Sequence, residues 1–162
     1  MKTTKNVLTA TLLLLLFAAG CDENMRSNGG GNTGNEKPIE IPFTEYSLDG
    51  TSCQWANFTY PPNGELIIIN STEELEKHVV CVENNYPVID FSKQTLLLGS
   101  GNAEKVVHTI TKSLLQLSTN KYKLNIEIIL SEALVALPTT WVIALVTDKL
   151  SEESNVELKI IM

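Results

Sequence analysis

From Tyr122 to Leu130 every second residue is apolar: Tyr122, Leu124, Ile126, Ile128 and Leu130 alternate with the mainly polar Lys123, Asn125, Glu127 and Ile129. A two-residue period puts all five on one face of an extended chain, which predicts a strand half buried and half exposed. Val156, Leu158 and Ile160 alternate with Asn155, Glu157 and Lys159 in the same way. Three other apolar runs, Leu66–Ile69, Leu96–Leu98 and Val142–Val146, lack polar alternation. They predict strands covered on both faces. Ser118-Thr119-Asn120-Lys121 fits a tight hairpin tip, Asn120 being able to adopt the left-handed conformation such turns use. Just before it the apolar phase slips between Ile110 or Leu114 and Leu115 or Leu117, which predicts a bulge near Leu114.

Ser71-Thr72-Glu73-Glu74 is a capping box, in which the serine hydroxyl takes the Glu74 amide and the Glu74 carboxylate reaches back. Leu75, His78, Val79 and Val82 follow on one helical face, and Glu73 and Lys77 stand four apart on the other. The expected helix spans 72–82 and stops before Asn84-Asn85-Tyr86-Pro87, because proline restricts the residue preceding it. Together these signals predict an α+β domain of mainly antiparallel sheet. It has about seven or eight strands and one principal helix packed over a face or an end.

The amino-terminal segment has a different character. Lys2 and Lys5 precede an apolar stretch of eleven residues, Val7 to Phe17, and then Ala18, Ala19 and Gly20. That is signal-peptide anatomy, too short for the roughly 20 residues a membrane-spanning helix needs. Ala18-Ala19-Gly20-Cys21 resembles the lipobox of bacterial lipoproteins, with Ala18 where leucine is more usual. The resemblance implies that residues 1–20 are removed, that the Cys21 thiol carries lipid, and that the partner there is a membrane. Several acyl chains, each methylene contributing about 0.8 kcal/mol, make such an anchor effectively permanent. Residues 22–38, DENMRSNGGGNTGNEKP, offer almost nothing to bury. With Cys21 they form an expected tether over 21–39, reaching roughly 20 to 25 Å, ahead of a single domain over 40–162.

Removing residues 1–20 takes away Lys2 and Lys5, leaving 10 basic and 19 acidic residues and a net charge of −9. Such a surface repels phosphate backbones, so nucleic acid is not an expected partner. With Cys21 assigned to the lipid, Cys53 and Cys81 remain as an even pair in a compartment that permits disulfides. A bridge between them is predicted; two buried free thiols are the alternative.

Little else suggests chemistry. His78 and Cys81 stand three apart, as a thiol and its base would, yet no third orienting group is identifiable and Cys81 has a disulfide partner in prospect. His108 is an isolated imidazole in a predicted strand. With two histidines far apart, no paired cysteine spacing and no calcium-loop pattern, there is no metal-ligand set, and no cofactor is implied. Gly99-Ser100-Gly101-Asn102 lacks the lysine and following helix of a phosphate loop and is expected to be a turn. Trp55, Phe58 and Tyr60 cluster before Pro61-Pro62. Trp55 and Tyr60, joined by Trp141, form a candidate stacking site for a small ligand or glycan, with core packing as the competing role.

The run Glu65 to Leu75, with Val88-Ile89-Asp90-Phe91-Ser92-Lys93 leading into Thr95–Leu98, is similar to small uncharacterised lipoproteins of Gram-negative gut anaerobes. The similarity covers most of residues 53–162. In such lipoproteins acidic residues directly after the lipidated cysteine accompany display at the cell surface, and Asp22-Glu23 resemble that pattern. Asp90-Phe91-Ser92 before an apolar strand also resembles the PrcB carboxy-terminal domain family, whose members are accessory proteins of protease complexes. Gly99–Glu104 departs from the Gly-rich stretch of that family. The expectation is a non-enzymatic accessory or binding lipoprotein, anchored in the outer membrane and meeting an envelope protein partner. A protease-associated subunit or inhibitor, and a small-ligand or glycan binder, are the alternatives.

Overall fold

The computed structural model describes residues 37–83, 85–132 and 137–162. The signal segment 1–20, Cys21 and nearly all of the 21–39 tether lie outside them. Ten strands in three sheets and one short helix make up the described part.

The first sheet joins β1 (Ile39–Ile41), β7 (Val107–Ser118), β8 (Lys121–Leu130) and β10 (Asn155–Ile161), in that order. The second joins β2 (Phe43–Glu45), β9 (Thr139–Asp148), β6 (Gln94–Ala103) and β4 (Glu65–Ile69). The third is a two-stranded pair, β3 (Cys53–Trp55) with β5 (Val79–Cys81). All pairings are antiparallel except that of β8 with β10, which is parallel because β9, in the second sheet, carries the chain back between them.

Alternation along β9 shows how the layers stack. Trp141, Ile143 and Leu145 point into a core shared with Leu114, Leu124, Ile126 and Ile128 of the first sheet. Ala144 and Val146 point the other way, into a core with Leu75, Val79, Tyr46 and Ile89. The second sheet is therefore the middle layer, and its strands are apolar on both faces, as the unalternating runs at 66–69, 96–98 and 142–146 predict. The alternating segments form β8 and β10, with Leu124, Ile126 and Ile128 buried and Glu127 exposed.

Pro42 separates β1 from β2, so one extended segment serves first one sheet and then the other. Proline has no N–H to give a ladder. Its carbonyl accepts a hydrogen bond from Thr147 Oγ1 at 3.0 Å.

Several expectations need correction. The helix expected over 72–82 is only Thr72–Leu75. Ser71 Oγ caps it by accepting from the Glu74 amide at 3.2 Å, but the Glu74 carboxylate takes the Asn70 amide at 2.8 Å in place of that of Ser71. After Leu75 the chain turns and becomes β5, where β-branched Val79 and Val80 extend against β3 and Val79 is buried. The architecture is thus mostly antiparallel β-sheet with almost no helix, not α+β with a principal helix. The described residues hold ten strands, not seven or eight, because β1, β2, β3 and β5 have three residues each, too few to display a period.

Gly99–Asn102 is no turn, since β6 runs through it to Ala103. Glycine is needed there because a Cβ on Gly101 would lie 2.7 Å from Trp141 Cε2, and one on Gly99 would lie 3.0 Å from Ile143 Cγ1. The β7–β8 hairpin turns at Thr119-Asn120, yet Asn57 is the one non-glycine residue of positive φ among the described residues. Asn120 is therefore not left-handed, and the register shifts fall between Val107 and Thr109 and between Gln116 and Ser118, while Leu114 pairs in register with Leu124.

Candidate functional site

Cys53 and Cys81 face each other across β3 and β5 and are joined by a disulfide. The bridge staples the two strands of the third sheet to each other beside a cleft of about 460 Å³. It is lined by Cys53, Gln54 and Trp55 of β3, Val142–Leu145 of β9, Ile110 and Lys112 of β7, and the segment Glu45–Asp49.

The cleft exists because β2 ends early. Phe43–Glu45 pair with Leu145–Thr147, and the Tyr46 amide donates to the Ala144 carbonyl at 2.9 Å. The chain then bends away: the Asp49 amide donates to Ser47 Oγ at 3.0 Å, and the Thr51 amide donates to the Leu48 carbonyl at 3.1 Å. β9 continues for five more residues towards Thr139, and among the described residues none pairs with them on the side opposite β6. Successive residues of an antiparallel strand turn their backbone groups to opposite neighbours. Since the Ala144 carbonyl faces β2, the N–H and C=O of Val142 and Thr140 face the open edge.

β3 behaves similarly. Ala56 donates to the His78 carbonyl at 2.9 Å and Val82 to the Ser52 carbonyl at 3.3 Å, so the backbone groups of Trp55 turn away from β5.

Lys112 lies on the inward face of β7 with Ile110 and Leu114 and forms an ion pair with Glu45. The lysine side chain is 14% exposed and the glutamate 66%, so the stem packs between the sheets while the head reaches the rim. Asp49 is exposed, and its carboxylate makes no ion pair among the described residues.

Tyr46 is 9% exposed and donates its hydroxyl to the Pro87 carbonyl at 2.8 Å. Burial, with Tyr86 nearby adding to it, pushes its pKa up to about 12. Tyr46 begins an aromatic chain: its ring lies 5.9 Å from Trp55, Trp55 lies 6.3 Å from Phe58, and Phe58 lies 6.0 Å from Tyr60. The rings tilt by 54° to 58° to one another, so they form no coplanar platform. Phe58 stacks on His78 at 5.5 Å.

Of the three aromatics singled out in sequence, Trp55 and Tyr60 are thus connected through Phe58. Trp141 lies on the opposite face of the middle sheet, 4% exposed in the other core. Cys81 is held in the disulfide beside no free thiol, and His108 is exposed on β7. Among the described residues no group of three His, Cys, Asp or Glu could hold a metal ion, and no helix is long and apolar enough to cross a membrane. The cleft itself was not apparent from the sequence, although a lysine in phase with Ile110 and Leu114 was a signal that could have been read.

No protein-family model, curated protein or solved structure matches the chain.

Proposed function

We propose that this is a non-enzymatic binding lipoprotein of the bacterial envelope, held to the outer membrane through lipid on Cys21 and engaging a protein partner through the cleft between β3 and β9. The observation that carries the reading is the open edge of β9: a middle-layer strand with apolar neighbours on both faces and backbone groups at Thr140 and Val142 that find no partner among the described residues. Such an edge favours addition of another chain. The tether expected from the composition of residues 21–39 fits the same reading, because a polar segment of that length would let the domain turn a lateral cleft towards a neighbour. The tilt of the aromatic chain favours this over a flat glycan platform.

The test places a photo-crosslinking amino acid at Gln54 of the full-length chain in its native envelope. The expected result is a discrete protein adduct that disappears when Cys21→Ser removes the anchor. A peptidase in that adduct would specify the accessory role that the PrcB-like resemblance implies. Illumination without any adduct under several growth conditions would remove support for the binding reading.

A further inference from the structure

We infer that the cleft takes an extended basic peptide as an added β-strand, seated on β9 in the register that β2 vacates after Tyr46. This rests on the binding reading above and specifies its ligand chemistry.

Backbone valence comes first. The Tyr46 amide is the last donor that β2 gives to β9, and the following positions of that register, opposite Val142 and Thr140, hold no described strand. Two residues with paired N–H and C=O groups match an antiparallel or parallel strand of four or five residues, the contact used in recognition by strand addition.

The side chains of such a strand would alternate between two environments. One set would face Ile143 and Ile110, between the first and middle sheets, where apolar residues fit. The other would face Trp55, Val142 and the rim. At the rim the one basic group, Lys112, is already paired with Glu45, and Asp49 carries an uncompensated charge. A lysine or arginine on that side of the peptide meets the Asp49 carboxylate and the Trp55 ring together, combining charge attraction with a cation–π contact.

The open stretch of β7 is guarded. β7 also runs on beyond its partner β1, which stops at Ile41 opposite Leu114. There the inward-pointing Lys112 opposes pairing, because an added strand would have to accommodate a charge directed into the sheet interface. β9 carries no charged side chain between Thr139 and Thr147. Between β7 and β9, the asymmetry selects β9 as the accepting edge.

The experiment uses the full chain and three synthetic octapeptides: alternating Lys and Val, alternating Glu and Val, and the Lys-Val peptide with alternate backbone amides N-methylated. Binding is read by Trp fluorescence and by hydrogen exchange at Thr140 and Val142. The expected result is binding of the Lys-Val peptide with slowing of both amides by at least about tenfold. Affinity falls at least about tenfold for the N-methylated and the Glu-Val peptides and for Asp49→Lys. Asp49 is exposed and its carboxylate is spent on no described hydrogen bond, so Asp49→Lys leaves the fold intact.

Equal binding of the N-methylated peptide overturns strand addition while leaving a binding cleft. Equal binding of the Glu-Val peptide overturns the charge assignment. Binding of none overturns the inference, and the cross-linking experiment then judges the binding reading independently.

Discussion

Lys112 of β7 and Glu45 of β2 form an ion pair that ties the first sheet to the middle sheet beside the cleft. The pair is lopsided, with a mostly covered lysine meeting a mostly exposed glutamate. Exposure limits what the charge attraction itself contributes, whereas the lysine stem also fills space between the sheets. Lys112→Ala is therefore expected to lower unfolding stability by about 1 to 2 kcal/mol, and Glu45→Ala by less than about 1 kcal/mol. Urea unfolding of the two variants checks the order. Equal losses would show that the stem packing is immaterial.

The Cys53–Cys81 bridge closes a loop of sequence separation 28. In the chain-entropy model a loop of that length stabilises the fold by roughly 3 to 4 kcal/mol. Replacing both cysteines by serine should lower stability by that amount and loosen β3 against β5. Intact mass before and after reduction, differing by two hydrogens, verifies the bond, and denaturant titration measures its contribution.

Gly101→Ala tests the close approach of β6 to Trp141. The added methyl would press against the indole face, 2.7 Å from Cε2, and Trp141 is only 4% exposed with no room to withdraw. Overpacking of this kind costs about 1 to 3 kcal/mol. A melting temperature unchanged from the parent protein would contradict the packing described.

The buried Tyr46 hydroxyl makes stability depend on alkaline pH. Its pKa is raised from 10.0 to about 12, so the folded state favours the neutral phenol. That contribution is complete below pH 10 and is lost as pH rises from there through about 12. Tyr46→Phe removes the hydrogen bond to Pro87 and should cost about 0.5 to 1.5 kcal/mol near neutrality. The difference between the parent and the variant should shrink above pH 10. Parallel stability curves across that range would contradict the assignment.

What was legible in the sequence depended on how local its cause was. β8 and β10 carry their own alternation, and the middle-layer strands carry their own unbroken apolar runs, so each announces its exposure. The end of α1 does not. Leu75 and Val79 are buried in either a helix or the observed turn and strand, and the deciding contact is with Cys53–Trp55, distant in the chain. Gly99–Asn102 was misread for a related reason, because its glycines answer to Ile143 and Trp141 on β9. Cys53 and Cys81 were paired by counting, and Trp55 and Tyr60 were placed together by proximity in sequence. Trp141 was grouped with them although strand alternation turns it to the other face. The cleft has no local signature, since it arises where one strand stops before its neighbour does.

The account turns on the open edge of β9, and amide hydrogen exchange of the unliganded protein tests it residue by residue. Trp141 and Ile143 direct their amides to β6, opposite Gly101 and Gly99, and should be strongly protected. Thr140 and Val142 should exchange orders of magnitude faster, at rates close to those of unstructured chain. Uniform protection of all four would show that the edge is already occupied and would contradict the proposed site.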